Sequence, residues 1–239
     1  PAAERPGMPG QEDREDSAIR EIRELRNRVA ELSRLEGEHR KTEQALARSL
    51  EKLRKATGFI IDVIVMAVET RDPYTAGHQS RVADLARAIA AEMKLPEDRI
   101  DGIRLAGRVH DVGKISIPAE ILTKPRPLKN TEYSLVKPHP EIGYEILKDI
   151  DFADPIAQIV YQHHERMNGS GYPRGIAGEE ILLEARILAV ADVVEAISSR
   201  RSHRLAMGIE KAIKEILQYR GVLYEPAVVD ACVALFRDK

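Results

Sequence analysis

The sequence predicts an all-α protein, with a long charged helix leading into a helical domain. Two observations carry that prediction. From residue 58 onward, apolar residues recur at three- and four-residue spacing, and nothing alternates with period two over a convincing length. Before that point the chain holds one heptad frame without a stutter. Charge divides the chain at the same place, since residues 1–57 carry 12 acidic and 13 basic side chains with almost no aromatic residue.

Residues 1–13 read as a flexible leader. They open PAAERPGMPG, which is neither basic nor apolar enough for a signal peptide, and the missing initiator Met points to a fragment of a longer protein. Residues 14–57 read as a coiled-coil signalling helix that forms a homodimer. The a and d positions run from Ile22 and Leu25 to Ile64 and Ala67, and ten of these fourteen are apolar. A helix exposed on all sides rarely keeps one seam so long, because 3.6 residues per turn drifts off a 3.5 period. Glu36, His39 and Glu43 interrupt the seam, and Gly37 marks a place for a local break. His39 there reads as a wet seam residue and not as a ligand.

Residues 58–239 read as one helical domain. Helical periodicity marks segments 78–93, 97–111, 131–149, 154–165, 182–198, 208–219 and 226–237. The connectors hold Pro96, the run Thr123 to Pro127, the run Asn168 to Pro173, and Gly178. Asn130 and Asp154 are the expected helix starts in this half.

Composition excludes several functions. With 37 Lys and Arg against 39 Asp and Glu, the net charge of −2 leaves no basic surplus for a nucleic-acid polymer or an anionic membrane. The longest apolar runs, such as Phe59 to Met66, fall far short of the ~20 residues of a membrane helix. A single cysteine, Cys232, excludes a disulfide scaffold and fits a reducing cytoplasm.

The chemistry lies in the histidines. Five of the seven are His78, His110, His139, His163 and His164, and Asp111 follows His110 directly. Asp192 sits in an otherwise apolar stretch, where an unpaired carboxylate is costly. One such histidine is usually a core or surface residue. A core that must hold several imidazoles and two carboxylates is most simply a metal site, and this donor mix suits Fe, Mn, Zn or Ni better than Ca or Mg. Two ions a few Å apart are the usual device for clamping both oxygens in phosphoester hydrolysis.

The run His110-Asp111-Val112-Gly113-Lys114, together with His163-His164-Glu165 and Gly169 to Pro173, resembles the HD-GYP domain, a branch of the HD metal-dependent phosphohydrolases. The resemblance runs from about Thr70 to the C-terminus and takes in Arg71 to His78, Lys137 to Pro140, and Ala191 to Val193. It implies an HD-type helical bundle that hydrolyses the bacterial messenger cyclic di-GMP at a centre of iron or manganese. Matched residue by residue, one ion takes His78, His110, Asp111 and Asp192. The second shares Asp111 and takes His139, His163 and His164. Asp111 and Lys114 are the implied catalytic residues, and Lys114, Arg201 and Arg204 the implied phosphate contacts. The family's link to diguanylate-cyclase (GGDEF) domains makes the Gly169–Pro173 loop a lid or partner surface; with no Lys-Ser/Thr after it, a P-loop does not fit.

Departures from the family pattern fall at Asn168, Glu195, Arg200 and His203, none of them an implied ligand. Three-metal members carry a glutamate four residues before the first histidine; here that residue is Tyr74. The resemblance therefore implies two ions and release of the linear dinucleotide pGpG, with GMP formed slowly or not at all. Glu69 is not expected to replace the missing glutamate, because Pro73 should end its helix. Lys124, Arg126 and Lys129 form a basic cluster that reads first as a solvated loop and second as substrate steering. Glu165 reads as a histidine-orienting carboxylate or an exposed helix end, and Cys232 as a small core residue. Two competing functions stand beside the leading one: hydrolysis of another cyclic dinucleotide or nucleotide, and a non-catalytic module that senses dinucleotide or recruits a partner.

Overall fold

The computed structural model of the chain describes residues 11–71, 76–199 and 206–237, and side chains among them from residue 16 onward. The described residues form helices with no strand. In chain order they are α1 (Gln11–Glu69), α2 (His78–Glu92), α3 (Glu97–Val109), α4 (Ala119–Leu122), α5 (Asn130–Val136), α6 (His139–Leu147), α7 (Ile156–Gln162), α8 (Leu183–Ser198), α9 (Ile209–Gln218) and α10 (Pro226–Arg237). Short 3-10 turns cover Val112–Ser116 and Gly178–Glu180.

The chain divides into two compact units, residues 1–58 and 59–239. In the first, α1 runs unbroken through Gly37, so the expected local break does not occur. One helical glycine costs about 1 kcal/mol relative to alanine, which long flanking helix absorbs. Ion pairs four residues apart, such as Arg34–Glu38 at 2.8 Å, add a few tenths of a kcal/mol each. The heptad seam lies open, with Leu25, Val29, Leu32 and Leu53 between 52% and 62% exposed. Of the expected leader, residues 1–10 lie outside the described residues.

In the second unit, the end of α1 turns a different face inward. Val65 and Val68 are buried and Ile61 is half-buried, while the seam positions Ile60 and Ile64 stay exposed. Asp62 pairs with Arg108 of α3. Helix α8 is central, packing on α2, α9 and α10, and its Ile187, Leu188, Val190, Ala191 and Val194 are all buried. Full burial of each large aliphatic side chain contributes roughly 1.5–3 kcal/mol. A helix this largely apolar is the core helix of its domain.

One expected element splits. Segment 131–149 is two helices, α5 and α6, divided at Lys137-Pro138. Pro138 lacks an N–H and its ring collides with the preceding turn, so the helix stops. Pro140 is tolerated because it sits in the first turn of α6. The segments expected over 97–111 and 154–165 end earlier, at Val109 and Gln162, which leaves His110 and His163 as the capping residues.

Candidate metal centre

Helix ends deliver the histidines, and the backbone fixes their rings. The last carbonyls of a helix have no N–H partner within it. Imidazole Nδ1 groups use them here: His110 donates to Gly107 O at 2.7 Å, His163 to Val160 O at 2.6 Å, and His139 to Val136 O at 2.8 Å. A carbonyl can only accept, so each Nδ1 carries the proton and each neutral ring leaves Nε2 as a bare lone pair. His78 starts α2, and its Nδ1 meets the carboxylate of Glu195 on α8.

Those lone pairs converge. His139 Nε2 and His163 Nε2 face each other at 3.4 Å, and both rings are buried. Two unprotonated nitrogens so placed repel each other unless a cation lies between them, and this geometry fits a metal. Three donor groups gather within 4.8 Å: His139 with His163 and His164, His78 with His110 and Asp192, and His110 with Asp111 and His163. Asp111 stands between the first two. Its Oδ1 is 3.3 Å from His139 Nε2, while its Oδ2 lies 3.4 Å from His110 Nε2 and 3.8 Å from His78 Nε2. Asp192 Oδ1 is 3.3 Å from His78 Nε2.

Protonation favours the same chemistry. Burial, with neighbouring imidazoles, pushes His163 and His164 well below the ordinary histidine pKa, and burial lowers His110 against the pull of Asp111. Burial drives the Asp111 carboxyl up, but Lys114 and the surrounding histidines outweigh it and hold it well below the carboxylate range. Burial likewise opposes ionisation of Asp192, and the His78 contact reverses it. Neutral imidazoles and ionised carboxylates are the forms that bind a transition metal.

The centre opens into a cleft of about 350 Å³ lined by His78, Asp111, Lys114, His139, His164 and Asp192, with Tyr133 and Tyr172 at its wall. Lys114 reaches Asp111 Oδ2 at 2.6 Å. All seven expected metal ligands and Lys114 therefore meet in one place. Arg201 and Arg204, with Arg200, His203 and Tyr74, lie outside the described residues. Glu69 belongs to none of the donor groups found among the described residues; its Oε2 accepts the Gly77 N–H at 2.9 Å.

Two glycines let these segments touch. A Cβ on Gly113 would lie 2.0 Å from the His139 carbonyl oxygen, and one on Gly171 would lie 2.4 Å from Glu165 Cα. The loop of Gly171, Tyr172 and Pro173 thus packs on the histidine pair, and Tyr172 lies against His164 with centroids 4.7 Å apart. Glu165 secures that loop and not a histidine ring, since its Oε1 accepts from the N–H groups of Arg174 (2.8 Å) and Gly175 (3.2 Å). It is buried, so the exposed helix end is also excluded. Tyr133, which sequence reasoning missed, places its hydroxyl 3.3 Å from that of Tyr172. A lone tyrosine in a short surface helix carries no signal of this. Lys124 and Arg126 of the basic cluster are both paired with Glu132, whose other oxygen accepts the Lys129 N–H.

An HD domain model matches residues 62–228. The chain belongs to the HD domain family. Its His110–Lys114 and His163–Pro173 motifs, with the relatives below, place it in the HD-GYP branch. It is 39% identical over 191 residues to the cyclic di-GMP phosphodiesterase response regulator RpfG of Xanthomonas campestris, covering 79% of this chain and 50% of that one. It is 40% identical over 183 residues to a cyclic di-GMP phosphodiesterase of Thermotoga maritima, covering 75% and 49%. Its fold matches the crystal structure of the cyclic GMP-AMP specific phosphodiesterase V-cGAP3 of Vibrio cholerae with a TM-score of 0.60 at 20% identity, over 75% of this chain and 48% of that one. The chain spans about half the length of the curated relatives it matches. No helix among the described residues is long and apolar enough to cross a membrane.

Proposed function

We propose that the domain is a two-metal phosphodiesterase that opens cyclic di-GMP to linear pGpG. The observation that carries this reading is the division of Asp111, with one oxygen toward His139 and the other toward His110 and His78. A single carboxylate facing two donor clusters is the geometry of a ligand shared by two ions. His78, His110 and Asp192 would hold one, and His139, His163 and His164 the other, with Asp111 common to both. Iron or manganese suits this set best, with zinc or nickel as substitutes. When bound, two such ions neutralise phosphodiester charge and supply an activated water.

The residues of the chain do the rest. Three carbonyl-anchored rings keep their Nε2 atoms aimed inward without reorganisation. Asp111 stays ionised at neutral pH. Lys114, poised on Asp111 Oδ2 and lining the cleft, would stabilise the charge that develops on a phosphate bound there. Arg201 and Arg204, which lie outside the described residues, are the phosphate contacts the family resemblance implies, a role that suits Arg as a bidentate donor. Tyr74, a phenol in place of a third-site glutamate, favours one cleavage over two. The exposed apolar seam on α1 supports a parallel homodimer through this helix. The Gly169–Pro173 loop is the surface for a cyclase (GGDEF) partner, and the substrate implies a cytoplasmic setting.

Relatives named as 3'3'-cGAMP-specific phosphodiesterases, 38% and 34% identical to this chain, give the mixed dinucleotide as the second reading. Metal-loaded protein incubated with each dinucleotide in parallel, with products followed by chromatography, separates the two. Faster loss of cyclic di-GMP with accumulation of pGpG is expected; faster loss of the mixed dinucleotide replaces the first reading with the second.

A further inference from the structure

His78 is held unlike the carbonyl-anchored histidines. His110, His139 and His163 are each fixed by a carbonyl three residues back, so their rings are set by their own backbone. The ring of His78 is fixed by Glu195, 117 residues away in sequence on α8. Glu195 is itself buried and its second oxygen is engaged by Arg81 Nε at 2.8 Å and Ser199 Oγ at 2.7 Å. Arg81 also donates to Ala76 O at 3.1 Å, which returns the network to the turn just before His78.

The backbone of that turn has its own anchor. Gly77 takes the left-handed conformation with φ of 70°, and its N–H donates to Glu69 Oε2 at 2.9 Å. Glu69 is the last residue of α1. Val68, the residue before it, and Val65, one turn earlier, are buried at that helix end. A shift or rotation of the helix end therefore moves Glu69, and with it the backbone amide beside the first ligand. Nothing comparable ties His139, His163 or His164 to α1 among the described contacts.

We propose that Glu195 and Glu69 are positioning residues for His78, and that through Glu69 the end of α1 sets the affinity of the His78–His110–Asp192 ion site without altering the His139–His163–His164 site. The proposal rests on the two-ion reading above, and deepens it by naming which ion a movement of α1 would regulate.

The test is a titration of the metal-free 239-residue chain with cobalt(II), followed by calorimetry and visible absorption. Wild-type protein should take up two ions. Fewer than two there would overturn the two-ion reading, and this proposal with it, before any variant is compared. Given two ions, Glu195→Ala should weaken one of them by about 10- to 100-fold, the usual cost of removing a ligand-orienting partner, and leave the other unchanged. Glu69→Ala should weaken the same ion. Glu69→Gln should restore it, because the amide oxygen still accepts from Gly77. Equal weakening of both ions in either alanine variant, wild-type affinity for both, or failure of Glu69→Gln to restore binding would each overturn the proposal while leaving the two-ion centre standing.

Discussion

Gly113→Ala is the sharpest structural perturbation of the centre, because it adds one methyl group and no charge. Its Cβ would lie 2.0 Å from the His139 carbonyl oxygen and 2.7 Å from the Gly143 nitrogen, against an ordinary contact of 3.4 Å or more. Backbone cannot rotate out of the way, so the start of α6 must retreat by about 1.4 Å, the shortfall of that contact. His139 begins α6 and moves with it. Metal sites accept displacements of only ~0.2 Å, so the ion held by His139, His163 and His164 should be lost or bound far more weakly. Overpacking of this kind costs about 1–3 kcal/mol. For a domain of this size that is a fall in Tm of roughly 2–12 °C. Calorimetry on the metal-free protein gives the Tm, and elemental analysis after anaerobic reconstitution gives the ion count. An unchanged Tm with a full complement of ions would refute the argument that backbone contact at Gly113 sets the position of His139.

Acidification of the metal-free protein should destabilise it from about pH 6.5 downward. His110, His163 and His164 have pKa values below their ordinary 6.5, so in that range the unfolded chain binds more protons than the folded one, and stability falls with pH. Asp111 and Asp192, also lowered, add a further loss as pH falls through 3.8 and below. A Tm that rises between pH 7 and pH 5.5 would contradict this. The proposed dimer should become a monomer by light scattering when Leu25→Asp is combined with Leu53→Asp, with the metal content intact; a dimer that survives both would remove the α1 seam as the interface. Lys114→Ala should retain both ions and lose about 10²- to 10³-fold in the rate of dinucleotide cleavage, and an undiminished rate would exclude Lys114 from charge stabilisation. Purified enzyme should accumulate pGpG; rapid conversion to GMP would show that another residue replaces the glutamate absent at Tyr74.

The gathering of histidines and carboxylates is legible in sequence because buried imidazoles and carboxylates have so few stable alternatives, whereas their division between two ions is what the family resemblance implies. Asp192 sits in an apolar stretch and His163-His164 lie near the end of an apolar helix, and with His110-Asp111 they outweigh the ordinary account of any one. The anchors of these rings were not readable. Gly107, Val136 and Val160 act through backbone carbonyls, and any residue supplies one, so no side-chain pattern marks them. The break at Pro138 was visible as composition, yet the apolar periodicity on either side was strong enough to suggest one helix. Glu165 reads in sequence as a histidine-orienting carboxylate, because a carboxylate that bonds backbone amides looks there like one that bonds a histidine, and Glu195, which does meet His78, shows only as a departure from the family pattern. Tyr133 had no local signal at all, since its role depends on Tyr172 39 residues later. The seam on α1 was the clearest feature of the first unit, and its exposed leucines are the physical reason for expecting a second copy.

The central claim is that Asp111 is shared between two ions, and the most direct test is the metal content of Asp111→Ala beside each single histidine variant. All proteins would be purified anaerobically, reconstituted with manganese or iron, and analysed for ions per chain. Wild-type protein should hold two. His78→Ala or His164→Ala should lose mainly one, because each serves a single donor cluster, whereas Asp111→Ala should lose both. Full occupancy in Asp111→Ala, or a loss no greater than that of a single histidine variant, would contradict the shared-ligand geometry on which the two-metal account stands.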